Sequence, residues 1–165
     1  MVPVPERHQG ANTLDLSIAA SATPTPSQHA FAIATSFLAA YRFCFDRQHY
    51  QLAAFQLHQA TERFYAAILL GSTTTLPPRT HNIEDLGERA ANLHRGLRAA
   101  LPKTTPEDQR LFALLKKAYI KARYSRRYRV TAQELAVLGE RVGVLGMLVS
   151  QACQERSASR SSSSA

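Results

Sequence analysis

The sequence has few of the residues on which small secreted or metal-bound proteins depend. Only two of its 165 residues are cysteine, Cys44 and Cys153. Two thiols make no disulfide framework, their separation is not that of a metal-ligand pair, and a reducing, cytoplasmic setting follows. Neither the cysteines nor the histidines cluster at zinc spacing, so no metal and no cofactor is expected. Glycine-rich phosphate loops of the Gly-x-x-x-x-Gly-Lys-Ser/Thr or Gly-x-Gly-x-x-Gly kind are missing. Paired aspartates after Gly71-Ser72 are missing too, which excludes a polymerase-type nucleotidyltransferase site within the chain. The longest charge-free apolar run of helical character, from Val142 to Gln154, is shorter than a bilayer span, so no membrane contact is expected. No stretch alternates apolar and polar residues long enough to form a strand.

What remains is a helical pattern between two low-complexity ends. Residues 1–28 hold four of the eight prolines among Ser, Thr and Ala, and read as a flexible leader. Residues 157–165 read as a disordered Ser-rich tail. The segment between, 29–156, predicts an all-α antiparallel bundle of about five helices.

The first helix is expected from about His29 to Asp46 and the second from about Tyr50 to Leu70. The second is apolar over so wide an arc that it must touch several neighbours, and Gly71 follows as a C-terminal stop. Asn82 is an N-cap for a third helix ending near Leu101. Thr105-Pro106-Glu107-Asp108 opens a fourth and Thr131-x-x-Glu134 a fifth, each with the side chains that satisfy first-turn N–H groups. In the fifth, Leu135, Leu138, Val142, Leu145 and Val149 recur every three or four residues. Gly139, Gly143 and Gly146 interrupt that helix, and close approach of a neighbour, in the bundle or across a dimer, is the expected compensation for about 1 kcal/mol each.

Charge is concentrated. The chain carries 20 Lys and Arg against 12 Asp and Glu, a net +8. Arg110, Lys116, Lys117, Lys121, Arg123, Arg126, Arg127 and Arg129 supply that excess in one window with no acidic residue. A focused positive segment points to an anionic partner, although a solvated helix face with a basic turn would look the same. His58 and Glu62 form a polar i, i+4 pair inside an apolar helix, where polar groups need partners.

Several motifs resemble one family. Leu57-His58-Gln59-Ala60-x-Glu62-Arg63-x-Tyr65 is similar to the second-helix motif of HEPN domains, the nucleotide-binding helical domains of prokaryotes and higher eukaryotes. Thr80-His81-Asn82-Ile83-x-x-Leu86 resembles the entry to that family's next helix, and Tyr119-x-x-Ala122-Arg123-Tyr124 its basic helix. The resemblance covers about residues 30–155 in order, and its nearest subgroup is often fused to a nucleotidyltransferase domain.

Many family members are metal-independent ribonucleases with an Arg-x(4–6)-His motif, in which Arg steadies the scissile phosphate and His moves the 2′-hydroxyl proton. At the matching place this chain reads Arg123-x4-Tyr128. A phenol with an ordinary pKa near 10 is a poor base at neutral pH, so the ribonuclease pattern is broken. The expected ligand is a nucleotide or RNA. Arg123, Arg126 and Arg127 are the expected phosphate contacts, with Tyr124 and Tyr128 as stacking or hydroxyl groups. The resemblance adds His58, Glu62 and His81 as further binding candidates. A ribonuclease toxin using Arg123 with another acid–base group, and a dimerising adaptor for a nucleotidyltransferase partner, are the alternatives; a homodimer is expected.

Overall fold

The computed structural model describes residues 23–72 and 79–162. Those residues form five α-helices, a short 3-10 turn and no strand. The all-α bundle expected from the periodicity is what they build. The helices are α1 (Pro26–Asp46), α2 (Tyr50–Ser72), α3 (Ile83–Leu93), α4 (Pro106–Tyr124) and α5 (Ala132–Ser162). The 3-10 turn, Arg95–Ala99, lies between α3 and α4.

Starts encoded by local side chains fall where expected. The Thr105 side chain accepts from the Asp108 N–H while the Asp108 carboxylate accepts from Thr105 N–H. Thr131 and Glu134 close the same reciprocal pair on α5. Asn82 accepts from the Glu84 N–H at the start of α3.

Other boundaries differ. α1 begins at Pro26, where Thr25 and Gln28 form a capping box that extends it ahead of His29. α3 ends at Leu93, and the chain re-forms as the 3-10 turn rather than continuing to Leu101. α5 runs on to Ser162, so residues 157–162 are helix rather than the expected tail. Residues 1–22 of the expected leader and 163–165 of the tail lie outside the described residues.

α2 is the central element and packs on α1, α3, α4 and α5. Leu57, Phe64 and Ile68 are fully buried along it. Gly71 is not a stop, because α2 continues through it to Ser72. Its bare backbone admits two neighbours: a Cβ there would lie 2.8 Å from an Arg156 guanidinium nitrogen and 3.0 Å from Ser27 Oγ. The α5 stripe of Leu135, Leu138, Val142, Leu145 and Val149 is buried against the bundle. Two of its glycines have the expected close neighbour inside the bundle, the ring of Tyr41 at Gly139 and that of Phe64 at Gly146. Gly143 faces open space. By length and composition α5 is apolar enough to cross a membrane, which the shorter charge-free run did not suggest, yet its inner stripe is spent on the core.

Candidate nucleic-acid interface

The basic window divides in two. In the first half of the window, Arg110 pairs with Glu107 and Glu134, and Lys116 with Glu84 at 2.7 Å. Those charges are neutralised within the bundle. Lys117, Lys121, Arg123, Arg126, Arg127 and Arg129 form no ion pair among the described residues, and they line the open side of the last turns of α4 and the α4–α5 connection. Without a carboxylate in reach, their field points outward and is available to an anion.

A groove of about 670 Å³, which Arg123 and Arg129 line, opens between the α1–α2 turn and the α4–α5 connection. His49, Gln51, Phe55, Arg123 and Arg129 are among its walls. Gln48, at the turn, holds the left-handed backbone region with φ 61°. A second hollow, about 630 Å³ between α3 and the 3-10 turn, contains none of the expected site residues.

Arg123 stands at one edge of the groove. Its Nε–H donates to the Tyr119 carbonyl at 2.8 Å. The guanidinium carbon lies 4.7 Å from the Tyr119 ring centroid and 4.9 Å from those of Phe55 and Tyr124. Three aromatic rings therefore hold the cation by its faces, while its terminal nitrogens make no hydrogen bond among the described residues. Tyr124 is 75% exposed, a ring free to stack on a base. Arg126 and Arg127 occupy the turn itself, where the Arg127 N–H donates to Ser125 Oγ.

Tyr128 is held differently from Tyr124. It is 6% exposed, and its hydroxyl donates to the Leu114 carbonyl at 3.0 Å. The Tyr128 carbonyl in turn accepts from Gln51 at 2.8 Å. Burial pushes its phenol pKa up, with the Glu134 carboxylate adding to the effect. Tyr128 is a strut that fixes the α4–α5 connection to α4, its hydroxyl committed to that bond while its mostly buried ring forms part of the groove wall.

His58 and Glu62 do not bond to each other. His58 is fully buried, and its Nδ1–H donates across to the Leu115 carbonyl at 3.1 Å, tying α2 to α4. Its Nε2 lies 3.9 Å from Glu62 Oε2 and makes no hydrogen bond among the described residues. Burial pushes its imidazole pKa down, against the Leu115 carbonyl and the Glu62 carboxylate, both of which favour the protonated ring. Glu62, itself nearly buried, accepts instead from His81 Nδ1–H at 2.9 Å. The His81 side chain is 52% exposed and its ring stacks on Tyr119 with centroids 4.0 Å apart.

The structure thus joins His58, His81 and Arg123 around one residue, Tyr119, that was absent from the expected site, with Glu62 held to His81. The Tyr119–Arg123 spacing of one helical turn was the available signal. Phe55, Gln51, His49 and Arg129 were missed as well, because their grouping arises only when the two inter-helix turns meet.

A family model described as the HEPN domain matches residues 27–143. Comparison with curated proteins gives no match.

Proposed function

Because the chain belongs to the HEPN domain family, we propose that it binds RNA or a nucleotide through the unpaired cations at the C-terminal end of α4. Membership carries a nucleotide- or RNA-related function in general. The observation that carries the finer reading is the division of the basic window, with six cations left without carboxylates, two of which, Arg123 and Arg129, line a groove of ligand size. Arg126 and Arg127 contact phosphates in this reading, and Tyr124 stacks on a base. The Arg123-x4-Tyr128 segment binds without supplying an acid–base group of its own, since Tyr128 is committed to Leu114.

A second reading has one observation in its favour. Ile120 and Tyr124, 58% and 75% exposed, lie one turn apart on α4 beside Lys117 and Lys121. That mixed apolar and basic face suits docking to a nucleotidyltransferase partner. A homodimer and a cytoplasmic setting belong to the same proposal.

The test is salt-dependent binding of a labelled oligoribonucleotide by the wild type and by Arg126→Gln/Arg127→Gln. For a single strand, each phosphate that a cation neutralises adds about 0.7 to the slope of log affinity against log salt. The double variant should therefore show a slope smaller by roughly 1.4 with an unchanged melting curve, since both side chains are exposed. Unchanged affinity and slope would show the segment to be a solvated turn.

A further inference from the structure

The hollow between α3 and the 3-10 turn shares no residue with the groove that Arg123 and Arg129 line. It holds about 630 Å³, within the range of cavities that bury a drug-sized molecule. Ile83, Leu97, Leu101 and Phe112, all buried, supply its apolar wall. Tyr65 reaches the same cavity from α2. It is 4% exposed, yet its hydroxyl makes no hydrogen bond among the described residues. The buried phenols of Tyr41 and Tyr128 are both bonded, to the carbonyls of Leu135 and Leu114. Taking a hydroxyl out of water without a partner is costly, so Tyr65 calls for an acceptor on its cavity side. Gly87 keeps a methyl from covering that side. A Cβ there would lie 3.0 Å from the ring carbon that bears the hydroxyl and 3.1 Å from the hydroxyl oxygen. Burial pushes the phenol pKa up, so the group remains a donor at neutral pH.

Charge on the cavity wall is balanced. Glu84 and Glu88 stand there against Arg98 and Lys103. Glu84 is spent on Lys103 at 3.1 Å and on Lys116 at 2.7 Å, and Arg98 donates to Asn92 at 3.4 Å. Lys103 Nζ also covers a face of Phe112, 4.4 Å from the ring centroid. Two charges of each sign focus no net field, so this cavity, unlike the acid-free window on α4, does not select for phosphate.

We propose that the cavity binds a small uncharged aromatic carbonyl compound, its carbonyl oxygen accepting from the Tyr65 hydroxyl and its rings lying against Leu97, Leu101 and Phe112. The site is independent of the RNA-binding reading above, and either can fail without the other. Aromatic rings suit the wall because Tyr65 and Phe112 offer tilted or offset ring contacts, and the balanced rim leaves no charge for the ligand to answer.

The experiment titrates the full chain calorimetrically with benzophenone and with diphenylmethane, two-ring probes that differ in having a carbonyl or a methylene between the rings. Both should bind saturably. Tyr65→Phe should weaken benzophenone by about 2- to 12-fold, the net worth of one hydrogen bond, and leave diphenylmethane unchanged. Its melting temperature should not fall, since the fold loses no bond. Ala99 is exposed on the cavity wall, so Ala99→Trp should block both probes without unfolding the chain. Irradiated benzophenone, a photoreactive ketone, should label cavity residues in peptides read by mass spectrometry, and adenosine monophosphate should not displace it. Absence of saturable binding would overturn the site. So would equal losses for both probes in Tyr65→Phe, which would show that the hydroxyl does not face the ligand. A lower melting temperature for that variant would assign the hydroxyl to the fold, and labelling confined to the Arg123 groove or displacement by adenosine monophosphate would place the probe in the nucleotide site; each result overturns the proposal.

Discussion

Replacing Gly139 and Gly143 with alanine should shift stability in opposite directions, although the two sites are one helical turn apart on α5. At either position, alanine gains about 1 kcal/mol in helix propensity over glycine. At Gly143 nothing lies within 4 Å of the added Cβ, so that gain is expected in full. At Gly139 the methyl would meet the Tyr41 ring, with ring carbons at 2.6 and 2.7 Å and the hydroxyl closer still. Tyr41 cannot swing aside freely. It is buried, packed on Phe45 with centroids 5.8 Å apart, and its hydroxyl donates to the Leu135 carbonyl at 2.9 Å. Displacing it adds an overpacking cost of about 1–3 kcal/mol and puts at risk a buried hydrogen bond worth about 1 kcal/mol. Net of the propensity gain, Gly139→Ala should destabilise by about 1–3 kcal/mol. Thermal melting at matched concentration then moves up by roughly 3–5 °C for Gly143→Ala and down for Gly139→Ala by a comparable amount or more. Equal stabilisation of both variants would refute the packing account of Gly139. Destabilisation at Gly143 would show that its face is covered in solution.

Two further outcomes follow from the polar side chains. Tyr128→Phe deletes the hydroxyl bonded to Leu114 and should cost about 1 kcal/mol in urea unfolding while leaving RNA affinity unchanged; weaker affinity at unchanged stability would return Tyr128 to the ligand surface. Asp108 is held down to about 2 by hydrogen bonds from Thr105 and Arg141, the latter at 2.6 Å, so its contribution is present above the ordinary aspartate range and lost as pH falls from about 4 to about 2. Melting followed from pH 5 to pH 2 should fall less steeply for Asp108→Asn, and identical slopes would remove Asp108 from the acid response.

Much of the fold was legible because its signals are local. Thr105 with Asp108, Thr131 with Glu134, and Asn82 each satisfy N–H groups within three residues, so sequence neighbours suffice to place those starts. The ends were less legible because they depend on distant packing. Gly71 has the look of a helix stop when only its sequence neighbours are considered, and the approach of Ser27 and Arg156 is what explains it. The Ser-rich stretch after Arg156 lacks the apolar period of a helix, and yet it continues α5 without a break to Ser162.

The site shows the same division between near and far. The acid-free window was plain in the sequence, but its separation into spent and available charge was not. Glu84 reaches Lys116 from 32 residues away and Glu134 reaches Arg110 from 24. His58 and Glu62 stand one turn apart, which suggested that they bond to each other. Each found a better partner outside α2: a carbonyl at Leu115 and an imidazole at His81. Arg123, expected as a phosphate contact, rests on aromatic faces and pairs with no carboxylate among the described residues. That exchange bears on the broken motif. Position 128 stands in the wall of the groove that Arg123 and Arg129 also line, but its side chain is turned to the Leu114 carbonyl. His81, half-exposed and held by Glu62, reaches Tyr119 from the α2–α3 connection, a neighbourhood that no linear spacing around Arg123 could reveal.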